Sequence, residues 1–123
     1  MQLKTFGLSM LVAQALVLSA WAHHSHGNYR MTEYTEVQGT VTDLYWVNPH
    51  VWMYVDVVDE QGQVESWAME AAGATTLVRG GIAQDEIKPG DTIRVRCHPL
   101  RDGSRGCLLG FVTTGDGVEK EWD

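Results

Sequence analysis

The sequence predicts a small, mainly β fold, and three observations lead to it. Hydrophobic and polar residues alternate in several short segments from residue 35 onward, which is the period of a strand with one buried face. Turn sequences rich in Gly, Pro, Asn and Asp separate these segments. Only residues 71–87 contain apolar residues at helical spacing. We therefore expect a small barrel of five to six strands with one short helix between strands three and four.

The first predicted strand, Thr35 to Val47, is long, and Gly39 lies in its first half. This length and the glycine indicate a strand that bends or bulges and pairs with a different neighbour at each end. Asn48-Pro49 ends the strand, because proline has no backbone donor and restricts the residue before it.

The second and third predicted strands, residues 50–58 and 63–70, form a hairpin around the turn at residues 59–62. The valine-bearing face of strand two is predicted to be core. The outer face of the hairpin predicts a function that is the alternative to the metal binding described below: an accessory domain that docks a partner protein or a small ligand through aromatic side chains, with the histidines incidental. Packing of these rings beneath the N-terminal arm and the helix is the alternative. The predicted aromatic residues are Trp46, Trp52, Tyr54 and Trp67.

The remaining elements complete the predicted chain order. The helical segment ends at Gly80-Gly81, and strands follow at residues 92–98 and 106–114. Residues 118–122 add a short edge strand. Three strands, a helix and two strands are the order of an OB-like barrel, and a small open sandwich is the alternative.

The two cysteines, Cys97 and Cys107, lie on either side of the turn sequence Asp102-Gly103. A turn centred there brings them opposite each other on neighbouring strands. In an oxidising compartment this arrangement favours a cross-strand disulfide over a metal site formed by the cysteines and His98.

The N-terminus predicts a secretory signal peptide, with Lys4, an apolar stretch from Phe6 to Leu18, and small residues at Ala20 and Ala22. The apolar stretch is too short to cross a bilayer, so we expect cleavage after Ala22 and a periplasmic protein without a transmembrane segment. The predicted divisions are a signal peptide at residues 1–22, a histidine-rich arm at residues 23–33 and the OB-like barrel at residues 34–123.

Cleavage at this point would place a free α-amine and three imidazoles within four residues of each other. Cu(II) prefers a tetragonal set of nitrogen ligands, and a further histidine at the rim of the barrel would complete such a set from a rigid position. Zinc and nickel accept the same ligands. The predicted copper ligands are His23, His24, His26 and His50.

The charge balance and the side-chain patterns exclude other function classes. The chain has 9 Lys and Arg against 16 Asp and Glu, a net charge of −7, which repels phosphate backbones and argues against nucleic-acid partners. The serines have no nucleophile context, and Glu70 has no visible catalytic partner in the sequence. We therefore expect a binding protein rather than an enzyme.

The segment from Trp46 to Trp52, which reads WVNPHVW, resembles a motif of a family of small secreted bacterial proteins with no assigned function. Members of that family begin with His-His-Ser after the leader. The resemblance implies export and a compact β-rich domain, and it implies no reaction. This chain departs from the family pattern at His26, where an aromatic residue is usual, and at Cys97 and Cys107. The further matching segments are residues 67–70, 77–81, 88–91 and 102–104.

Overall fold

The computed structural model describes residues 26–123. A 3₁₀ turn precedes six strands and one short helix, so the predicted mainly β class and the chain order are confirmed. The elements are the 3₁₀ turn His26–Asn28, β1 Thr35–Tyr45, β2 Trp52–Val58, β3 Val64–Glu70, α1 Ala74–Arg79, β4 Thr92–Pro99, β5 Gly106–Thr113 and β6 Glu119–Glu121.

Strand β1 connects the two halves of the barrel, as its length predicted. Its first half, Thr35 to Thr40, pairs with β4, and its second half, Thr40 to Tyr45, pairs with β2. A register shift between Val41 and Asp43 marks a bulge where the strand changes partner. Gly39 lies just before this bend, and a Cβ there would stand 2.3 Å from the carbonyl oxygen of Asp56. Only glycine permits this close approach of two strands.

The sheet closes on itself. Its strand order is β3-β2-β1-β4-β5-β6, and an additional parallel pairing of β3 with β5 joins Ala68 to Gly106. A Cβ at Gly106 would lie 3.0 Å from the carbonyl oxygen of Ala68, so a glycine favours the close approach of the two strands at this closure. The result is a closed five-stranded barrel with β6 added beside β5, which excludes the open sandwich.

The barrel interior is filled by the inward-facing residues of all five barrel strands. Leu77 of α1 and Trp122, beyond β6, belong to the same core cluster and are almost fully buried. The most completely buried side chains of the barrel strands include Val41, Met53, Val55, Met69, Ile93, Val95, Cys97, Cys107, Leu109 and Val112.

The predicted aromatic surface was wrong in two of its four members. Trp67 lies directly opposite the fully buried Val55, and residues opposite each other in antiparallel strands share a face. The Trp67 side chain therefore belongs to the core side of the sheet. Trp46 also packs partly against the core, with its ring 6.3 Å from that of Trp122 in an edge-to-face arrangement. Trp52 and Tyr54 are half-buried on the outer side.

Cys97 and Cys107 lie opposite each other across β4 and β5, with their sulfur atoms 2.21 Å apart and their Cα atoms 5.7 Å apart. Both residues are fully buried. The two sulfur atoms are bonded to each other, so neither provides a thiolate for the alternative metal site with His98.

Two predicted boundaries differ from the structure. Strand β2 begins at Trp52, so His50 lies in the loop before it rather than in the strand. The arm predicted to be without pattern is docked from residue 29 onward, because Tyr29 is buried and forms a β-bridge with Leu100. The predicted signal peptide lies outside the described residues, and so do His23 and His24 of the predicted arm. In residues 26–123 no helix is long and apolar enough to cross a membrane.

Candidate functional site

The loop that carries His50 is fastened to the segment after β3. The backbone N–H of Val51 donates to the carbonyl of Ala72 at 3.1 Å, and the N–H of Ala71 donates to the carbonyl of Val51 at 2.9 Å. A Cβ at Gly73 would stand 2.6 Å from the Pro49 carbonyl oxygen, so this glycine allows the two segments to touch. His50 is therefore held on a rigid part of the barrel rim.

The His50 ring is oriented by one of its two nitrogens. Its Nδ1 lies 3.0 Å from the carbonyl oxygen of Ala71 and 3.4 Å from Oε1 of Glu70. A carbonyl oxygen only accepts hydrogen bonds, so Nδ1 must carry the proton. In the neutral ring the lone pair then lies on Nε2, which is the nitrogen left to bind a ligand. The His50 side chain is 32% exposed, so solvent reaches the ring.

Glu70 is itself held by a buried tyrosine. The hydroxyl of Tyr29 donates to Oε2 of Glu70 at 2.5 Å, and the two residues are only 5% and 7% exposed. Burial, followed by the hydrogen bond to Glu70, raises the pKa of Tyr29 above its usual value. The phenol therefore stays protonated and continues to donate. Together the three residues form a chain from Tyr29 through Glu70 to His50.

The series of contacts from Tyr29 through Glu70 to His50 begins at the root of the N-terminal arm. The N–H of Arg30 donates to the carbonyl of Pro99 at 2.9 Å, and the N–H of Arg101 donates to the carbonyl of Asn28 at 2.9 Å, which fixes the backbone around Tyr29. His26 is exposed and lies three positions before Tyr29, a span of at most about 10 Å of extended chain. His26, at the start of the described residues, is thus close in sequence to Tyr29, which contacts the carboxylate beside His50.

The predicted metal ligands are only partly described. His50 lies beside Glu70, His26 lies in the exposed 3₁₀ turn, and His23 and His24 lie outside the described residues. Within residues 26–123, no three His, Cys, Asp or Glu side chains are grouped so that they would hold a metal ion.

Sequence reasoning did not find the role of Tyr29 or of Glu70. Tyr29 stood in a segment without strand or helix periodicity, and its partner is 41 residues away. Glu70 ends a predicted strand, where a carboxylate usually reaches solvent. The one available signal was the position of Glu70 directly opposite Trp52, which follows from the hairpin register and brings it close to His50.

A second group of side chains lies on the outer face of β1 and β2. Asp43 is paired with Tyr54, Tyr45 is paired with Trp52, and Asp56 follows Tyr54 by one alternation on the same face. Tyr45 is 55% exposed, and its ring stands edge-to-face with that of Tyr54 at 5.8 Å between centroids. We call the group Asp43, Tyr45, Trp52, Tyr54 and Asp56 the aromatic–acidic face.

Solved structures with a similar fold include two crystal forms of Rim1, a mitochondrial single-stranded DNA binding protein from S. cerevisiae. Form 1 superposes with a TM-score of 0.51 at 6% identity and covers 74% of this chain and 97% of that chain. Form 2 has a TM-score of 0.49 at 9% identity and covers 72% of this chain and 96% of that chain. At such low identity the likeness shows the OB-type fold alone.

Comparison of sequences gives a family and no characterised relative. A search of curated proteins finds no significant match. The profile of a family of unknown function (DUF6152) matches residues 11–109. This agrees with the resemblance to a family without an assigned function.

Proposed function

The chain belongs to this family of unknown function (DUF6152), and we propose that it is an exported periplasmic protein that binds copper through its N-terminal histidines and His50. The observation that supports this most directly is the orientation of the His50 ring. Its Nδ1 is bonded to the carbonyl of Ala71, and its Nε2 is the nitrogen free to coordinate.

The surroundings of His50 match those of a histidine that binds a metal. Such a histidine commonly donates its other ring N–H to a carbonyl or a carboxylate, which fixes the ring and makes the coordinating nitrogen more basic. Ala71 provides the carbonyl acceptor, and the carboxylate of Glu70 lies 3.4 Å from the same ring nitrogen. Because the ring is already oriented, little side-chain freedom is lost when a ligand binds.

The arm provides the remaining ligands in this proposal. Cleavage after Ala22 leaves the amine and imidazole of His23 together with His24 and His26, which are nitrogen donors suited to Cu(II). The contact of Tyr29 with Glu70 fixes the root of the arm beside the carboxylate that neighbours His50, which supports an arm that reaches the His50 ring. Zinc and nickel would compete for the same nitrogens.

The net charge of −7 favours a cation as ligand and disfavours a phosphate backbone. Rim1 is a single-stranded DNA binding protein, but the acidic surface of this chain supports no such role here. We therefore keep nucleic acid outside the proposed ligands, and we assign no reaction to the site.

The first test uses the processed protein purified from the periplasm. Its intact mass and N-terminal peptide should show His23 as the first residue. Calorimetric titration with Cu(II) should then give one site with a dissociation constant tighter than about 10 μM. A different first residue, or weaker binding, would contradict the proposal.

Variants separate the arm from the barrel. His50→Ala should weaken Cu(II) binding at least about 10-fold and remove one coordinated nitrogen from the electron paramagnetic resonance spectrum. Glu70→Gln should weaken binding about 10- to 100-fold, as loss of an outer partner of a metal-bound histidine does. The matched control is Glu65→Gln on the same strand, because Glu65 is paired with Arg105 instead of with His50.

Two results would exclude the joint site. If His23→Ala left the affinity unchanged, the mature N-terminus would not be a ligand. If His50→Ala left both the affinity and the nitrogen count unchanged, the arm would bind copper without the barrel, and the orientation of His50 would need another explanation.

A further inference from the structure

The aromatic–acidic face presents rings and carboxylates together on an open surface. Tyr45 is more than half exposed, and Trp52 and Tyr54 are half-buried beside it. In the register of β1 and β2, Asp43 lies directly opposite Tyr54, which places their Cβ atoms about 5 Å apart. A carboxylate therefore adjoins the edge-to-face pair formed by Tyr45 and Tyr54.

The two carboxylates of this face are free to bind an outside group. In residues 26–123, every ion pair uses other residues, so neither Asp43 nor Asp56 is neutralised by a lysine or an arginine. On the same side of the sheet, β4 carries Arg94 and Arg96 beyond the Thr40–Thr92 pair, and within residues 26–123 Arg94 forms no ion pair with Asp43 or Asp56. Of these, Arg96 is already bonded to Glu119 through two nitrogens, at 2.8 and 3.0 Å.

We propose that the aromatic–acidic face binds an arginine-bearing segment of a partner protein. The faces of aromatic rings attract cations, and a guanidinium group can stack on a ring while it bonds a carboxylate through two N–H groups. Asp43 beside Tyr54 offers both contacts in one place. The net charge of −7 would also speed the encounter with a basic partner.

An extended protein segment suits this face better than a small cation does. The face is spread over two neighbouring strands and is open to solvent, whereas small ligands are held in concave sites that bury most of their surface. Three clefts within residues 26–123, of about 310, 470 and 430 Å³, are lined by residues outside this face. A chain laid across β1 and β2 would contact Asp43 and Asp56 at successive positions.

The test uses metal-free full-length mature protein in the presence of a chelator, so that its outcome is independent of copper. The probes are an eight-residue peptide of alternating Arg and Gly and the same peptide with citrulline, a neutral isostere, in place of arginine. At about 0.15 M salt, where distant charges are largely screened, the arginine peptide should bind at least about 10-fold more tightly than the citrulline peptide. Equal binding of the two would overturn the proposal.

Surface variants then locate the contact. Tyr45→Ala and Asp43→Asn should each weaken binding of the arginine peptide at least about 5-fold. The controls are Val64→Ala and Glu121→Gln, which remove an exposed apolar side chain and an exposed carboxylate elsewhere. If Glu121→Gln weakened binding as much as Asp43→Asn, the attraction would be a general effect of charge and the assigned face would be wrong.

Discussion

Two histidines of the barrel have the same hydrogen bond and different surroundings. His50 places Nδ1 3.0 Å from the carbonyl of Ala71, and His98 places Nδ1 2.7 Å from the carbonyl of Glu33. In both rings the proton is therefore on Nδ1, and Nε2 holds the lone pair. A fixed tautomer alone thus does not distinguish a ligand from a structural histidine.

The two histidines differ in how far solvent reaches the ring. His98 is 4% exposed, and Tyr34 covers its ring at 4.2 Å between centroids. The His50 side chain is 32% exposed and has a buried carboxylate as its second neighbour. We conclude that His98 contributes to packing, whereas His50 has the orientation and the exposure that a ligand needs.

The largest effect should come from the buried ring. His98→Ala removes the stack on Tyr34 and the bond to Glu33 and leaves a cavity, so we expect a loss of about 3 kcal/mol in the free energy of unfolding. Chemical denaturation measures this loss, and Cu(II) affinity of the folded variant should be unchanged. Loss of copper binding in a folded His98→Ala protein would contradict the assignment of His98 to packing and of His50 to the proposed metal site.

Tyr29→Phe should have an intermediate effect that depends on pH. Removal of the hydroxyl takes a charge-assisted hydrogen bond from buried Glu70, at a cost of about 2 kcal/mol near neutral pH. The pKa of Tyr29 is raised in the folded protein. The contribution of its hydroxyl to the free energy of unfolding is therefore complete below about pH 10, where unfolded tyrosine ionises, and is lost as the pH rises further. In denaturation experiments from pH 7 to 11, the difference in the free energy of unfolding between the wild-type protein and Tyr29→Phe should therefore become smaller above about pH 10.

The control for this variant is Tyr45→Phe, because Tyr45 is 55% exposed on the outer face. Its stability should differ from that of the wild-type protein by less than about 0.5 kcal/mol at neutral pH. If the difference in stability between the wild-type protein and Tyr29→Phe stayed constant up to pH 11, burial and the bond to Glu70 would not raise the pKa of Tyr29 in the folded protein.

The strands and their order could be predicted because each is a local pattern. Alternation identified β1 to β5, and the length of β1 with Gly39 predicted the bend that the bulge at Val41 and Asp43 confirms. The prediction that Trp67 faces outward was wrong, although the alternation of residues along β3 was assigned correctly. Val58 pairs with Val64 across the turn, so Val55 must face Trp67 and share its buried side. Register, which the turn sequence specifies, would have given the correct face.

The site was less predictable because its contacts join distant parts of the chain. His50 was recognised from its place at a turn beside Pro49, which is a local feature. Tyr29 contacts Glu70 across 41 residues, and that contact depends on how β3 meets β5 to close the barrel. No periodicity in residues 23–33 indicates that one of them is buried. The proposed ligand His50 was thus visible in the sequence, and its neighbours Glu70 and Tyr29 were not.

His50→Ala should affect stability less than His98→Ala or Tyr29→Phe does, although the proposed function needs His50 most. The His50 ring is partly solvated and its bond to Ala71 can be replaced by water, so His50→Ala should cost less than about 1 kcal/mol in denaturation experiments. The same variant should lose at least about 10-fold in Cu(II) affinity. A loss of stability as large as that of His98→Ala would mean that the rim histidine is part of the packing. Its free nitrogen would then be a consequence of the fold rather than a ligand for a metal.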